Sequence, residues 1–149
     1  MVNVINPRIE DINIQDIAHA LSHLCRFGGH TKRFYSVAQH SMTCAKIAPD
    51  ALKLTALLHD ASEAYLLDIP TPIKQLLPAY KVMEDRFQAL IAKKFGLVYP
   101  FPQEIHDIDR LMLEVEWNDL MIRSGDGLVL FKPTMEKDRF ITLFNQYKP

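Results

Sequence analysis

Apolar residues recur along most of the chain at intervals of three and four, the spacing that collects them on one face of an α-helix. In residues 14–25 that face holds Ile14, Ile17, Leu21, Leu24 and Cys25, with Asn13 or Asp11 placed to cap its start. From Ser36 the order S-V-A-Q predicts a capping box, and Val37, His40, Cys44 and Ile47 line one face of the following helix until Pro49 ends it. Asp50 is placed to cap a third helix carrying Leu54, Leu57, Leu58 and Ala61, and Thr71-Pro72 reads as the cap and first position of a short one. A long helix over residues 79–95 buries Val82, Met83, Phe87, Leu90, Ile91 and Phe95 and stops at Gly96. Ile105, Ile108, Met112 and Val115 mark another, reaching about Ile122. Thr134 caps the last, with Phe140, Ile141 and Phe144 inward. Irregular connectors fall at residues 26–35, 66–72 and 123–133, where the glycine-rich "RSGDG" precedes "LVLF", a short apolar run suited to an extended segment. The pattern predicts an all-α helical bundle in a single domain over residues 1–149.

Size agrees with that reading. A chain of 149 residues, 48% hydrophobic and 23% charged, can bury one sizeable core. Seventeen basic and eighteen acidic residues give a formal charge of −1, so no global field recruits a nucleic-acid polymer or an anionic membrane. Any anionic small molecule must be held by local cations. Cys25 and Cys44 form no paired-cysteine motif and are expected to be reduced thiols packed as small apolar groups. The opening "MVNVINPRIEDINIQD" lacks the apolar core of a signal peptide, and no apolar run approaches membrane-spanning length. The expected location is the cytoplasm, or the host cytoplasm if the chain is phage-encoded.

The chemistry concentrates around "ALLHDASEAYLLDIPTPIK", residues 56–74. His40 lies on the inner face of the second predicted helix, His59 and Asp60 at the end of the third, and Asp109 in register with Ile105 and Met112. Carboxylates on apolar faces are costly to bury alone, and one divalent cation would compensate both. Neighbouring helical residues point about 100° apart, so His59 and Asp60 can share an ion only near a helix end. A mixed nitrogen and oxygen donor set suits Mn, Fe, Co or Ni, with Mg or Zn also possible.

The ordered set His40, His59-Asp60 and Asp109 resembles the HD-domain metal-dependent phosphohydrolase superfamily. The flanks "RFGGHTKRFYSVAQHS", "LLHDASEAYLLDIPTPIK" and "HDIDRL" resemble its small 5′-deoxynucleotidases and the phage-type deoxynucleoside triphosphohydrolases, from about Leu24 to Trp117. The resemblance implies an HD-domain bundle with His40, His59, Asp60 and Asp109 as ligands to one divalent metal. It implies Glu63 as the acid that positions or deprotonates the attacking water and Asp68 as a second carboxylate near the leaving-group oxygen. Arg26 and Phe27 match the pair that reads the phosphate and the deoxysugar, Phe27 standing where the bacterial nucleotidases carry tryptophan. Lys74 and Lys81 are candidate phosphate contacts.

The implied substrate is a small deoxynucleotide. Release of phosphate from a deoxynucleoside monophosphate leads, and release of triphosphate from a dNTP, possibly dATP, is the alternative, with Lys32 and Arg33 helping to hold the longer polyphosphate. A noncatalytic nucleotide- or partner-binding module is the alternative of another class. A homo-oligomer is expected by resemblance alone. Other positions invite blander readings: Glu114, Glu116 and Asp119 as a solvated face, His19 and His23 as an exposed pair, and Trp117 and Met112 as core. His106 either orients a ligand carboxylate or sits on the surface.

Overall fold

The computed structural model describes residues 2–123 and 127–149, and among the described residues it is built from helices, turns and one isolated β-bridge. The helices are α1 (Ile14–His23), α2 (Val37–Ile47), α3 (Lys53–Leu58), α4 (Glu63–Leu66), α5 (Thr71–Lys74), α6 (Pro78–Phe95), α7 (Gln103–Glu116) and α8 (Pro133–Tyr147). None is long and apolar enough to cross a membrane. Ser124, Gly125 and Asp126, within the glycine-rich break, lie outside the described residues.

Local chemistry sets most of the boundaries. Asn13 caps α1 by accepting from the Gln15 amide at 2.9 Å, and Ser36 caps α2 by accepting from the Gln39 amide at 3.0 Å. Only this half of the predicted capping box forms. The Gln39 side chain turns away to donate to the Val129 carbonyl and to accept from the Phe131 amide, fastening the segment 127–132 to α2. Gly96 ends α6 at φ +71°, a left-handed value that glycine adopts without a Cβ clash. Two predicted caps are not used. Asp50 pairs with Lys53 at 2.6 Å instead, and α8 starts one residue before Thr134, at Pro133, whose missing N–H costs nothing at a first helical position.

α2 is the central element, packed against α1, α3, α7 and α8. Ile17 and Leu21 of α1, Val37 of α2, Leu57 and Leu58 of α3, Phe87 and Ile91 of α6, and Phe140 of α8 are fully enclosed. The inward stripes differ from expectation at their ends: Ile47, Val82 and Val115 are 48%, 60% and 42% exposed. Each lies where a strict three-and-four count drifts off the buried face, because the helix turns every 3.6 residues.

Leu24 and Cys25 lie beyond the end of α1. The chain there pairs with residues 35–37 through Arg26 N–H to Tyr35 C=O at 2.9 Å and Val37 N–H to Leu24 C=O at 3.0 Å. The loop so closed includes Phe27 and Gly28 at φ +56° and +59°. Its closure sets the Arg26 and Tyr35 side chains next to α7.

Candidate metal centre and substrate cleft

α3 stops immediately before the His-Asp pair, and residues 59–62 form turns ahead of α4. That break lets adjacent residues serve one point. His40 Nε2 lies 3.3 Å from His59 Nε2, 3.6 Å from Asp60 Oδ2 and 3.1 Å from Asp109 Oδ1. His59 Nε2 lies 3.3 Å from Asp60 Oδ2 and 3.8 Å from Asp109 Oδ1. Two imidazoles and two carboxylates from α2, the turn and α7 thus meet.

The outer nitrogens fix what faces inward. His40 Nδ1 donates to Glu116 Oε1 at 2.7 Å, and His59 Nδ1 donates to the Ala56 carbonyl at 2.7 Å. In the neutral imidazoles both Nε2 atoms then carry lone pairs, so four acceptors converge with no proton between them. Such a set requires either a cation or protons on the rings. Without a cation the rings take the protons. Burial and Arg26 oppose an imidazolium at His40, yet hydrogen bonds to Asp109, Cys44 and Glu116 hold its pKa well above the ordinary value. Burial opposes it at His59 as well, but Asp60 and Asp109 raise the pKa to about 9. A divalent ion would replace those protons, and the acceptor separations suit neighbouring donors at bonds of about 2.0–2.2 Å. The donor set therefore fits a metal.

His40, Cys44 and His59 also offer donor atoms all within 4.8 Å of one another. The Cys44 Sγ is 3.6 Å from His40 Nε2 and 4.0 Å from Nδ1, so it lies over the ring face and off the Nε2 lone-pair direction. It packs against the ligand, one helical turn along α2.

Glu116, read from sequence as part of a solvated face, is fully buried. It receives the Tyr35 hydroxyl at 2.8 Å as well as His40 Nδ1, and its Oε2 lies 3.0 Å from Arg26 Nε. Arg26, itself buried, reaches Asp60 Oδ2 at 3.7 Å. Burial works against its charge, but Glu116 and Asp60 outweigh that and raise its pKa. One carboxylate therefore holds the ring of His40 and the guanidinium of Arg26.

A cleft of about 540 Å³ opens beside this cluster, lined among others by Arg26, Phe27, Asp60, Glu63, Asp68, Lys74 and Asp109. Glu63 is buried, with Oε1 3.4 Å from Lys74 Nζ and no partner for Oε2. Burial, then Asp60 and Asp68, push its carboxyl well above the ordinary range. Burial also raises Asp68, against the pull of Arg26. Lys74 is held mainly by Glu84, at 2.6 Å, a residue that sequence reasoning passed over. Lys81 is exposed on α6 and is not among the described residues that line the cleft; neither are Lys32 and Arg33. Lys32 instead reaches the carbonyls of Ile122 and Arg123. His106 is exposed, as are His19 and His23, while Met112 is core. Trp117, expected in the core, is 47% exposed at the cleft, edge-on to Phe27 with ring centroids 5.8 Å apart.

No family model matches the chain. It is 43% identical over 136 residues to the YfdR protein of Escherichia coli K12, an alignment covering 91% of this chain and 74% of that protein. The chain belongs to the YfdR family. Its similarity extends to a Rhodobacter capsulatus protein, 36% identical over 114 residues, covering 70% of this chain and 58% of that protein. Neither name carries an activity. More distantly, this YfdR-family chain is 28% identical over 129 residues to the 5′-deoxynucleotidase YfbR of Salmonella typhi, covering 70% of this chain and 62% of that enzyme. It thus spans less than two thirds of the length of these last two relatives.

Proposed function

We propose that the chain is a divalent-metal-dependent phosphohydrolase that releases phosphate from deoxynucleoside 5′-monophosphates. The observation that carries this reading is the convergence of four acceptor atoms from His40, His59, Asp60 and Asp109 beside a buried carboxylate with an unpartnered oxygen. The name of the more distant relative YfbR supports the same class of reaction.

When bound, the ion supplies Lewis acidity and a water of lowered pKa. The chain's own residues do the rest. Glu63 sits in the cleft with one oxygen free and a carboxyl raised by burial and by two acidic neighbours, which suits it to take a proton from the attacking water. Asp68, also raised by burial, lines the same cleft and serves as the acid that hands a proton to the departing 5′ oxygen. Arg26, fixed between Glu116 and Asp60, offsets charge on the transferring phosphoryl group, with Lys74 as a second cation.

Charge favours the shorter substrate. Among the described lining residues, the carboxylates Asp60, Glu63, Asp68, Asp109 and Glu114 face only Arg26 and Lys74, and both cations are already paired. A monophosphate asks less of that lining than a triphosphate does. The donor set favours Mn, Fe, Co or Ni over softer-liganded metals.

The test is a panel of deoxynucleoside mono- and triphosphates with Mn²⁺ or Co²⁺, products resolved by chromatography. Nucleoside and orthophosphate are expected from the monophosphates, and Asp60→Ala should abolish their release. Intact triphosphate from a dNTP would replace this reading with the triphosphohydrolase. No turnover by folded, metal-loaded protein would leave a nucleotide-binding module.

A further inference from the structure

We infer that Trp117 is the stacking platform for the substrate's nucleobase, an inference that rests on the deoxynucleotide reading above. Helix α7 carries two stripes. Ile105, Met112 and Glu116 face the core, whereas Asp109, Leu113 and Trp117 line the cleft at successive intervals of four. With a rise of 1.5 Å per residue, Trp117 lies about 12 Å along the helix from the metal donor Asp109. A phosphate held at the Asp109 end directs its sugar past Leu113 and its base toward the indole.

Phe27 adjoins Trp117 and links it to the charged end. The Arg26 guanidinium lies 5.3 Å from the Phe27 ring centroid, and Phe27 in turn meets Trp117 edge-on. The lining thus combines charged donors with an aromatic pair, and Leu113 and Ile69 also belong to it. Phe27 holds φ +56°, an uncommon value for a side chain of that size, which keeps its ring at this junction. At Trp117 the helix widens into a π turn over Trp117–Ile122, closed by Arg123 N–H to Asn118 C=O at 3.0 Å. Trp117 is 47% exposed and lines the cleft, so the indole is accessible to whatever enters. Stacking is sequence-tolerant, because every base has a π face. The platform therefore selects for the presence of a base more than for its identity.

Trp117 is the one tryptophan of the sequence, so intrinsic emission reports on it directly. Metal-free protein is titrated with thymidine 5′-monophosphate and with 2-deoxyribose 5-phosphate, which keeps phosphate and sugar but has no base. The nucleotide should quench the emission and the sugar phosphate should not; equal quenching by both, or none by the nucleotide, overturns the inference. With metal, Trp117→Ala should raise KM for the monophosphate about tenfold, leave kcat within twofold and leave turnover of 2-deoxyribose 5-phosphate unchanged. Trp117→Phe should restore most of the loss, which a folding defect would not predict. Turnover by wild-type protein with KM unmoved in Trp117→Ala defeats the stacking platform and spares the hydrolase. Base-dependent quenching with no turnover does the reverse.

Discussion

At the scale of single residues, the site depends on one carboxylate that touches no solvent. Glu116 accepts from His40 Nδ1 and from the Tyr35 hydroxyl, and its Oε2 forms an ion pair with Arg26 Nε at 3.0 Å. It thereby fixes the tautomer that aims His40 Nε2 inward, and it holds the guanidinium beside Asp60. Outer partners of this kind set ligand orientation and basicity. Glu116→Gln keeps the shape but offers a weaker acceptor, so affinity for Mn²⁺ or Co²⁺ should fall about tenfold to a hundredfold by isothermal titration calorimetry. Unchanged affinity in a variant that melts like the wild type would show that the imidazole needs no such partner. The same residue marks a limit of sequence reasoning. His40, His59, Asp60 and Asp109 stood out because they interrupt apolar stripes. Glu116 interrupts one too: steps of 3.6 from Ile105 pass Met112 and arrive at residue 116, whereas an apolar count stops at Val115. With Glu114 and Asp119 near it in sequence, it reads as one more surface acid. Trp117 misleads for the opposite reason, since its size and apolarity suggest burial unless the cleft is known.

At the scale of elements, the helices were legible because amphipathic periodicity is written over ten or more residues at a time. Contacts between elements were not legible. Nothing local in S-V-A-Q shows that Gln39 abandons its own helix for Val129 and Phe131, or that Ser36 donates to Glu136 on α8. That last contact ties the start of α2 to α8 through a fully buried carboxyl. Burial raises the Glu136 pKa from 4.5 to about 7, against the hydrogen bond from Ser36 and the nearby His23, the other titratable group that acts on it. Between those pH values the folded state keeps a proton that the unfolded state has released. Glu136 therefore contributes its full share of stability below about pH 4.5 and loses it progressively as pH rises through 7. Glu136→Gln removes the titration. The melting temperature of the variant should approach that of the wild type at pH 5 and exceed it at pH 8 by about 3 °C or more. Parallel melting curves across that range would mean that Glu136 does not titrate there.

At the scale of the molecule, the acceptor atoms come from three places that the chain joins only at a distance: α2, the turn after α3, and α7. Met112 and Glu116 hold α7 in place, but Asp109 has 44% of its side chain exposed and is restrained chiefly by the imidazoles it faces. Burial raises its pKa less than His40 and His59 lower it, so it stays ionised and depends on positive charge opposite. A divalent ion would cross-link all three segments in the folded state and none in the unfolded state, where the donors are far apart. Binding of that kind stabilises by about 2.7 kcal/mol when free metal is a hundredfold above its dissociation constant. For a chain of this size that corresponds to a rise of about 5–10 °C in melting temperature over the chelated protein. Asp109→Asn, which keeps the size but removes one anionic donor, should show a smaller rise at the same metal concentration. Hydrogen exchange locates the effect: added protection is expected in α2, in residues 59–63 and in α7 around Asp109, with α6 unchanged beyond the global shift. A melting temperature indifferent to chelator and metal alike would mean that the four acceptors are satisfied by ring protons alone, and the phosphohydrolase reading would lose its principal support.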